Sequence, residues 1–166
     1  ATLQMTSKTD VGDFTYGLDY YQDRVDSFHD DYDAVGTHTR SAIQGPVGDD
    51  GKYHIFGAFV QDVISLSERI ELTLGARYTY AKADIGTVAD PVVAGNTISS
   101  EDDWHNVVGS VRLSYDLDAN RRYKLYTGIG QGFRTPNLSD LSRLDIARSG
   151  ELETAAPGLD PEKYLN

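Results

Sequence analysis

Cysteine is absent from the 166 residues, so no disulfide framework holds this chain. That absence fits an oxidising envelope compartment and many cytosolic proteins alike. Positive charge is scarce: 15 Lys and Arg stand against 26 Asp and Glu, for a net charge of −11 and a pI near 4.6. Nucleic-acid binding needs Lys and Arg in excess, so that class of partner is excluded. No run of 18 apolar residues occurs, which excludes a membrane-spanning helix. Ala1 to Asp10 lacks the charged start and apolar centre of a secretory signal. The chain therefore reads as starting after processing or in the middle of a longer protein, and the middle is the expectation. Nothing marks a linker, so a single domain is expected. Aliphatic and aromatic residues are ample, which excludes wholesale disorder.

What is present is alternation. From Arg69 to Tyr80, Ile70, Leu72, Leu74, Ala76, Tyr78 and Tyr80 share one phase, while Glu71, Thr73, Gly75, Arg77 and Thr79 share the other. A period of two means a strand with one apolar and one polar face. The run is about twice the usual strand length of 5–6 residues, and a strand crossing hydrocarbon needs roughly 9–11. Phe14, Tyr16, Leu18 and Tyr20 alternate with Thr15, Gly17, Asp19 and Tyr21 in the same way. Further strands are predicted over Tyr53–Leu66, whose two faces are both partly apolar so that its facing stays open, over Trp104–Leu117 and over Tyr123–Arg134. Ala1–Thr6 reads as the tail of another strand, and a further one begins at Glu162.

Between the strands, connections alternate short and long. Long loops are predicted at about Arg24–Lys52, Ala83–Asp103 and Thr135–Pro161, and polar turns at Ser7–Asp13, Ser67–Arg69 and Asp118–Arg121. Long irregular connections are uncommon in compact soluble domains. Strict alternation gathers them at one end of the strands, the asymmetry of outer-membrane barrels. Tyr20, Tyr21, Tyr53, Tyr78, Tyr80, Tyr115 and Tyr123 lie near strand ends, where an aromatic girdle would sit. The fold expected is all-β: an antiparallel up-and-down transmembrane β-barrel, here an open curved sheet of about six to seven strands. The known minimum for closure is about eight. Rival readings are a complete small outer-membrane barrel with a structural or adhesive role, and a soluble secreted β-sandwich that binds a ligand.

Three segments carry a family resemblance. Gly57-Ala58-Phe59-Val60-Gln61-Asp62 with Leu72-Thr73-Leu74-Gly75-Ala76-Arg77-Tyr78 resembles a barrel hairpin of TonB-dependent outer-membrane receptors. Gly132-Phe133-Arg134-Thr135-Pro136-Asn137-Leu138 looks like that family's Gly-Phe-Arg-Ala-Pro-Asn-Leu segment. Pro157-Gly158-Leu159-Asp160-Pro161-Glu162-Lys163 sits where the family has Asn-Pro-Asn-Leu-Lys-Pro-Glu, with Ala156 and Gly158 in place of the asparagines. The resemblance implies that residues 1–166 are part of a receptor barrel, lacking the plug domain and the remaining strands. It also implies a place in the outer membrane among its lipids, and a partnership with TonB through an N-terminal region not in this chain. The cargo implied is a scarce small-molecule ligand such as an iron–siderophore complex. No enzyme activity is expected. Haem-transporting members place a histidine between the last two motifs; this chain has none after His105. The acidic loops oppose an anionic ferric siderophore, which leaves cobalamin, a calcium-assisted ligand or a neutral siderophore open.

Candidate sites are few. His29, Asp30, Asp31 and Asp33, with His38 nearby, offer oxygen and nitrogen donors to a metal, but the spacing fails the calcium-loop template, and a solvated acidic loop is the plainer reading. Arg134, Asn137, Asp140 and Arg143 follow a strand near the presumed outer mouth and are candidate ligand contacts. Arg134 and Asn137 also suit a structural use, holding the loop base by hydrogen bonds. Gly128, Gly130 and Gly132 recur inside a strand, so they are no nucleotide loop. Their expected use is to let a plug domain approach the wall.

Overall fold

The computed structural model describes residues 1–10, 12–146, 150 and 152–166. Its strands are β1 (Thr2–Lys8), β2 (Gly12–Val25), β3 (Asp30–Tyr32), β4 (His38–Ser41), β5 (Asp49–Ser65), β6 (Ile70–Ala89), β7 (Thr97–Asp116), β8 (Lys124–Arg134), β9 (Asp145–Ile146), β10 (Leu152–Glu153) and β11 (Glu162–Leu165). One short helix, α1 (Leu138–Ser142), follows β8. Seven strands form one antiparallel sheet in the order β1-β2-β5-β6-β7-β8-β11, while β3–β4 and β9–β10 are separate two-stranded ribbons. No second large sheet faces the first among the described residues, so the sandwich reading fails and the open sheet stands.

Cross-strand register shows which side chains share a face. Tyr16, Val60 and Ala76 lie opposite one another across β2, β5 and β6, as do Leu18, Ala58 and Tyr78. On β7, Leu113 and Val111 continue the face of Leu72 and Leu74. Large apolar side chains on this face are exposed, Leu74 and Val107 among them, whereas Thr73 on the opposite face is buried. The face assigned to Leu72 and Leu74 by alternation is therefore the outward one, and β5 joins it through Phe56, Ala58, Val60 and Ile64. Ile70 to Tyr80 is about 33 Å of strand, which at the usual tilt is about 25 Å of height, the depth of an outer-membrane apolar band.

Beyond Tyr80 the pattern inverts. Lys82 and Asp84 now occupy the outward phase, and Ala81, Ala83 and Ile85 point inward, all fully buried. Alternation persists with the apolar phase exchanged, because the outward face has left the belt while the inward face has gained a cover. Polar and apolar residues then mix in the sequence, and the expected loops at Arg24–Lys52 and Ala83–Asp103 shrink. β6 and β7 run on to Ala89 and from Thr97, so only a short turn joins them, and β5 begins at Asp49. The same inversion explains why Tyr53–Leu66 resisted phasing: it spans both zones. It also removes Tyr53 and Tyr21 from the girdle, since both belong to the inward phase that pairs Tyr21 with Ile55 and Tyr53 with Ala83.

Halfway up the inner wall, Arg77 donates from Nη1 and Nη2 to the two oxygens of Asp19, at 2.8 and 2.9 Å, across an intervening strand. The residue they cross is Gly57, paired with Asp19 on β2 and Thr79 on β6. A Cβ at Gly57 would run into the Arg77 guanidinium. A bidentate pair of this kind fixes both partners' geometry, so glycine here is a steric condition of the ion pair. At Gly132 a Cβ would strike the ring of Tyr164, so the chain itself fills that part of the glycine row.

Two outcomes test these assignments. Leu74→Arg at mid-belt should destabilise the protein in lipid by about 2–4 kcal/mol, with Thr73→Ser nearly silent; equal costs in folding titrations would reverse the facing. Gly57→Val should cost about 1–3 kcal/mol in the wild-type background and markedly less beside Arg77→Ala, a coupling that a double-mutant cycle measures.

Candidate functional site

The outer half of the inner wall is covered. Tyr53, Ala81, Ala83, Ile85, Val88 and Trp104 form an apolar cluster with Leu138, Leu141 and Ala155. The covering segment leaves β8, crosses the inward face of the sheet to reach β5 and β6 as α1, and returns to pair as β11. It is built locally. Pro136 cannot continue a ladder, and Asn137 caps the helix: its Oδ1 accepts from the Asp140 N–H at 2.9 Å, while Asp140 Oδ2 accepts from the Asn137 N–H at 3.1 Å. So short a helix would not form alone in water. Leu138 and Leu141 hold it by burial against the wall.

Buried hydrogen bonds then lock separate loops together. Gln44 is almost fully buried, donates from Nε2 to the Ser142 carbonyl at 2.8 Å, and accepts the Ala89 N–H at Oε1 at 2.7 Å. Ser142 Oγ donates to the Leu138 carbonyl at 2.6 Å and accepts the Gly48 N–H at 2.8 Å. The loop before β5, the top of β6 and the segment after β8 are thus one packed unit. Tyr53 Oη donates to the Pro136 carbonyl at 2.9 Å and meets Thr135 Oγ1 at 2.6 Å. Trp104 Nε1 donates to the Leu159 carbonyl at 3.0 Å. A buried amide with an unmet partner costs about 1–3 kcal/mol; here the groups just named are all satisfied.

Three of the four proposed ligand contacts come together. Arg134 forks between Asp140 Oδ2 at 2.8 Å and Glu162 Oε1 at 2.9 Å, and Asp140 in turn bonds Asn137. The guanidinium ties the base of the segment to the strand that receives its far end. Two carboxylates around one cation leave the half-exposed cluster with a net negative charge. Arg143 is elsewhere, paired with Glu153 at 2.6 Å. Within the span Thr135–Pro161, residues 147–149 and 151 lie outside the described residues.

The metal candidates sit on the β3–β4 ribbon. His29 Nε2 meets Asp31 Oδ1 at 3.1 Å, and His38 Nε2 stands 3.4 Å from Asp30 Oδ1. Asp33 is spent on its own turn, accepting the Val35 and Thr37 N–H groups at 3.0 and 2.8 Å. The Ser41 hydroxyl, donating at 2.7 Å, is the main reason the Asp30 carboxyl is held below its usual range. Among the described residues no three His, Cys, Asp or Glu side chains converge as ion ligands. Sequence reasoning missed Gln44 and Ser142. Each lies in a stretch without a period of two, and their bond links positions 98 residues apart, so no local signal marks them.

An up-and-down antiparallel wall with an apolar outward belt, a polar inner face and an inward-folded cover has counterparts. Among curated proteins nothing matches this chain. Among solved structures it is similar to the copper transporter OprC, at 25% sequence identity and a TM-score of 0.75, covering 98% of this chain and 25% of that one. The chain thus spans about a quarter of the length of that transporter. The family model for the TonB dependent receptor-like β-barrel matches residues 1–166, all of the chain, and the chain belongs to that family.

Proposed function

We propose that these residues form part of the wall and the outer cover of an outer-membrane transporter that takes up a scarce ligand with energy delivered through TonB. The observation that carries this reading is the cover itself. A segment packed across the inner face at one end of the sheet, with polar wall below it, is what a gated passage needs and a purely structural barrel does not. The inner face below the cover presents Thr15, Gln61, Gly75, Ser110 and Thr73 together with Arg112 and the Arg77–Asp19 pair, a largely polar surface with Phe59, Val63 and Val108 among it. Such a wall suits a hydrated passage or a removable plug. The TonB contact is assigned to the N-terminal region that the family resemblance implies.

For the ligand, an iron–siderophore complex is the reading the resemblance favours. Arg134, Asn137 and Asp140 at the rim are the proposed contacts, and Arg143, farther along the same segment and paired with Glu153, is the fourth. The net negative charge of the rim cluster favours a neutral or cationic complex over an anionic one. A second reading, copper, is favoured by the transport activity named for OprC. This chain has no cysteine and one methionine, Met5 on the outward phase of β1. It therefore lacks the soft donors that select Cu(I). His29 and His38 with Asp30 and Asp31 are the imidazole and carboxylate donors it offers to a divalent ion.

Uptake by cells carrying the full-length receptor, with and without functional TonB, separates these readings. TonB-dependent accumulation of a ferric siderophore supports the first and of copper the second; accumulation of neither overturns both ligand readings. Topology has its own check. An epitope inserted at Gly36 or Gly95, both with open space around them, should be detected on intact cells, and detection only after permeabilisation would invert the wall. Gly48, bonded to Ser142 within the cover, should not tolerate the same insertion.

A further inference from the structure

The ladder that seals the wall stops short at one seam. β5–β6 and β6–β7 pair along almost their whole lengths, but β7 pairs with β8 only from Asp116–Lys124 to Ser110–Gly130. Above that point β7 continues to Thr97 and β8 to Arg134. Val107, opposite Tyr78, lies above the last β7–β8 pair and still inside the apolar belt. At Gly109 a side chain replaces the ladder: the Gly109 N–H donates to Gln131 Oε1 at 3.1 Å.

Alternation shows which backbone groups the break leaves open. In an antiparallel strand both polar groups of a residue point to one side, and the side alternates along the chain. Asp116 N–H meets Arg69 on the β6 side, and Leu117 N–H meets Tyr123 on the β8 side. Val107 and His105, in the phase of Leu117, therefore aim their N–H and C=O groups toward β8. Gly130 exchanges both its bonds with Asn166 on the β11 side, so Gln131 and Phe133 aim theirs toward β7. No ladder pair takes up these groups among the described residues.

Hollows adjoin the break. One, of about 380 Å³, is bordered by Asn106, Val107, Gln131, Lys163, Tyr164 and Leu165. Another, of about 200 Å³, lies over Gln61, Gly75, Val108 and Ser110 of the inner face and also reaches Gln131. The Gln131 amide, standing in the ladder position, is shared by both. Val107 and Leu165 belong to the outward phase and are well exposed. Open backbone at membrane depth is tolerated only where protein buries it or a water-filled cavity meets it.

We propose that the β7–β8 seam above Gly109 is a lateral binding slit for a small amphiphile, whose amide-type head bonds the open backbone groups of Val107 and Gln131 and whose alkyl tail runs outward past Val107 and Leu165. The inference rests on the reading of the outward face as lipid-facing. An amide supplies a donor and an acceptor together, which is what a parted ladder lacks. An alkyl tail alone leaves those backbone groups unpaired. Water meets the polar groups but gains nothing from Val107 and Leu165.

The test uses the full-length protein in lipid nanodiscs and an N-alkyl acetamide with a photoreactive diazirine in its tail, crosslinked sites being mapped by mass spectrometry. Crosslinks should concentrate on Val107 and Leu165. Excess unlabelled N-alkyl acetamide should remove them, and an alkane of equal length should not. Val107→Trp, which fills the slit, should remove the crosslink at Leu165. Crosslinks spread evenly over Leu74, Leu113 and Val107 overturn the site, and displacement by the alkane overturns the role of the head. Hydration gives a second readout. A membrane-impermeant maleimide should label Val107→Cys several-fold faster than Leu74→Cys, and the N-alkyl acetamide should slow it. Equal labelling means a sealed seam and overturns the slit; fast labelling that the amide leaves unchanged means water alone occupies it and overturns the ligand. Recovery of the protein in the aqueous fraction without detergent would instead remove the lipid-facing reading beneath the proposal.

Discussion

A β-ladder is the constraint on which everything else in this chain depends. In hydrocarbon an unpaired backbone N–H or C=O finds no water, so a chain crossing on strands must pair each strand on both sides. β5, β6 and β7 meet this requirement with registers running unbroken for most of their length, from Asp49–Thr87 down to Ser65–Glu71 and from Ile70–Tyr115 upward to the irregularity near Ile85. Up-and-down order follows, because consecutive antiparallel strands need only a turn between them. The turns beside Ser67 and Asp118 show how little is needed: the Ser67 hydroxyl accepts the Ile70 N–H, and the Asp118 carboxylate accepts the Arg122 and Tyr123 N–H groups.

Once the ladder is in place, side chains have only two directions, and the wall uses both. The outward phase follows its surroundings, apolar from Ile70 to Tyr80 and charged from Lys82. The inward phase follows a different boundary. It is mostly polar or glycine where the inner face stands open, with Phe59, Val63 and Val108 as apolar exceptions, and apolar where the cover lies on it. The two boundaries fall at nearly the same height, so the apolar phase changes sides at Tyr80 and Ala81. The Arg77–Asp19 pair over Gly57 sits just below that level. It stitches β2 to β6 across β5, where no apolar contact could do so without filling the inner face.

Above that level the cover adds contacts between parts of the chain far apart in sequence. Gln44 and Ser142 join loops that would otherwise be independent, and Arg134 ties the departing strand to the returning one through Glu162. The rim residues expected to meet a ligand are thereby also the residues that hold the rim in shape. A half-exposed guanidinium already shared by two carboxylates is held in one orientation and contributes modestly to stability. The β3–β4 ribbon lies apart from this unit, its histidines and aspartates satisfied in pairs.

The strands of the belt were legible in the sequence, because lipid on one side and a polar interior on the other impose a period of two that needs no tertiary information. Leu72, Leu74, Tyr16 and Leu18 announce their face by themselves, and so do the short turns through Ser67 and Asp118. The resemblance in Gly132–Leu138 and Pro157–Lys163 located the segment that became the cover. The sequence did not reveal the upper halves of β6 and β7, since their inward side is apolar only because α1 lies against it. Nor did it reveal that Tyr53 turns inward to Pro136, or that Gln44 is buried in a stretch broken by Gly45, Pro46 and Gly48. Local alternation reports the medium on each side of a strand. Where that medium is another part of the same chain, brought from a distant stretch of the sequence, only the tertiary structure decides which face is apolar.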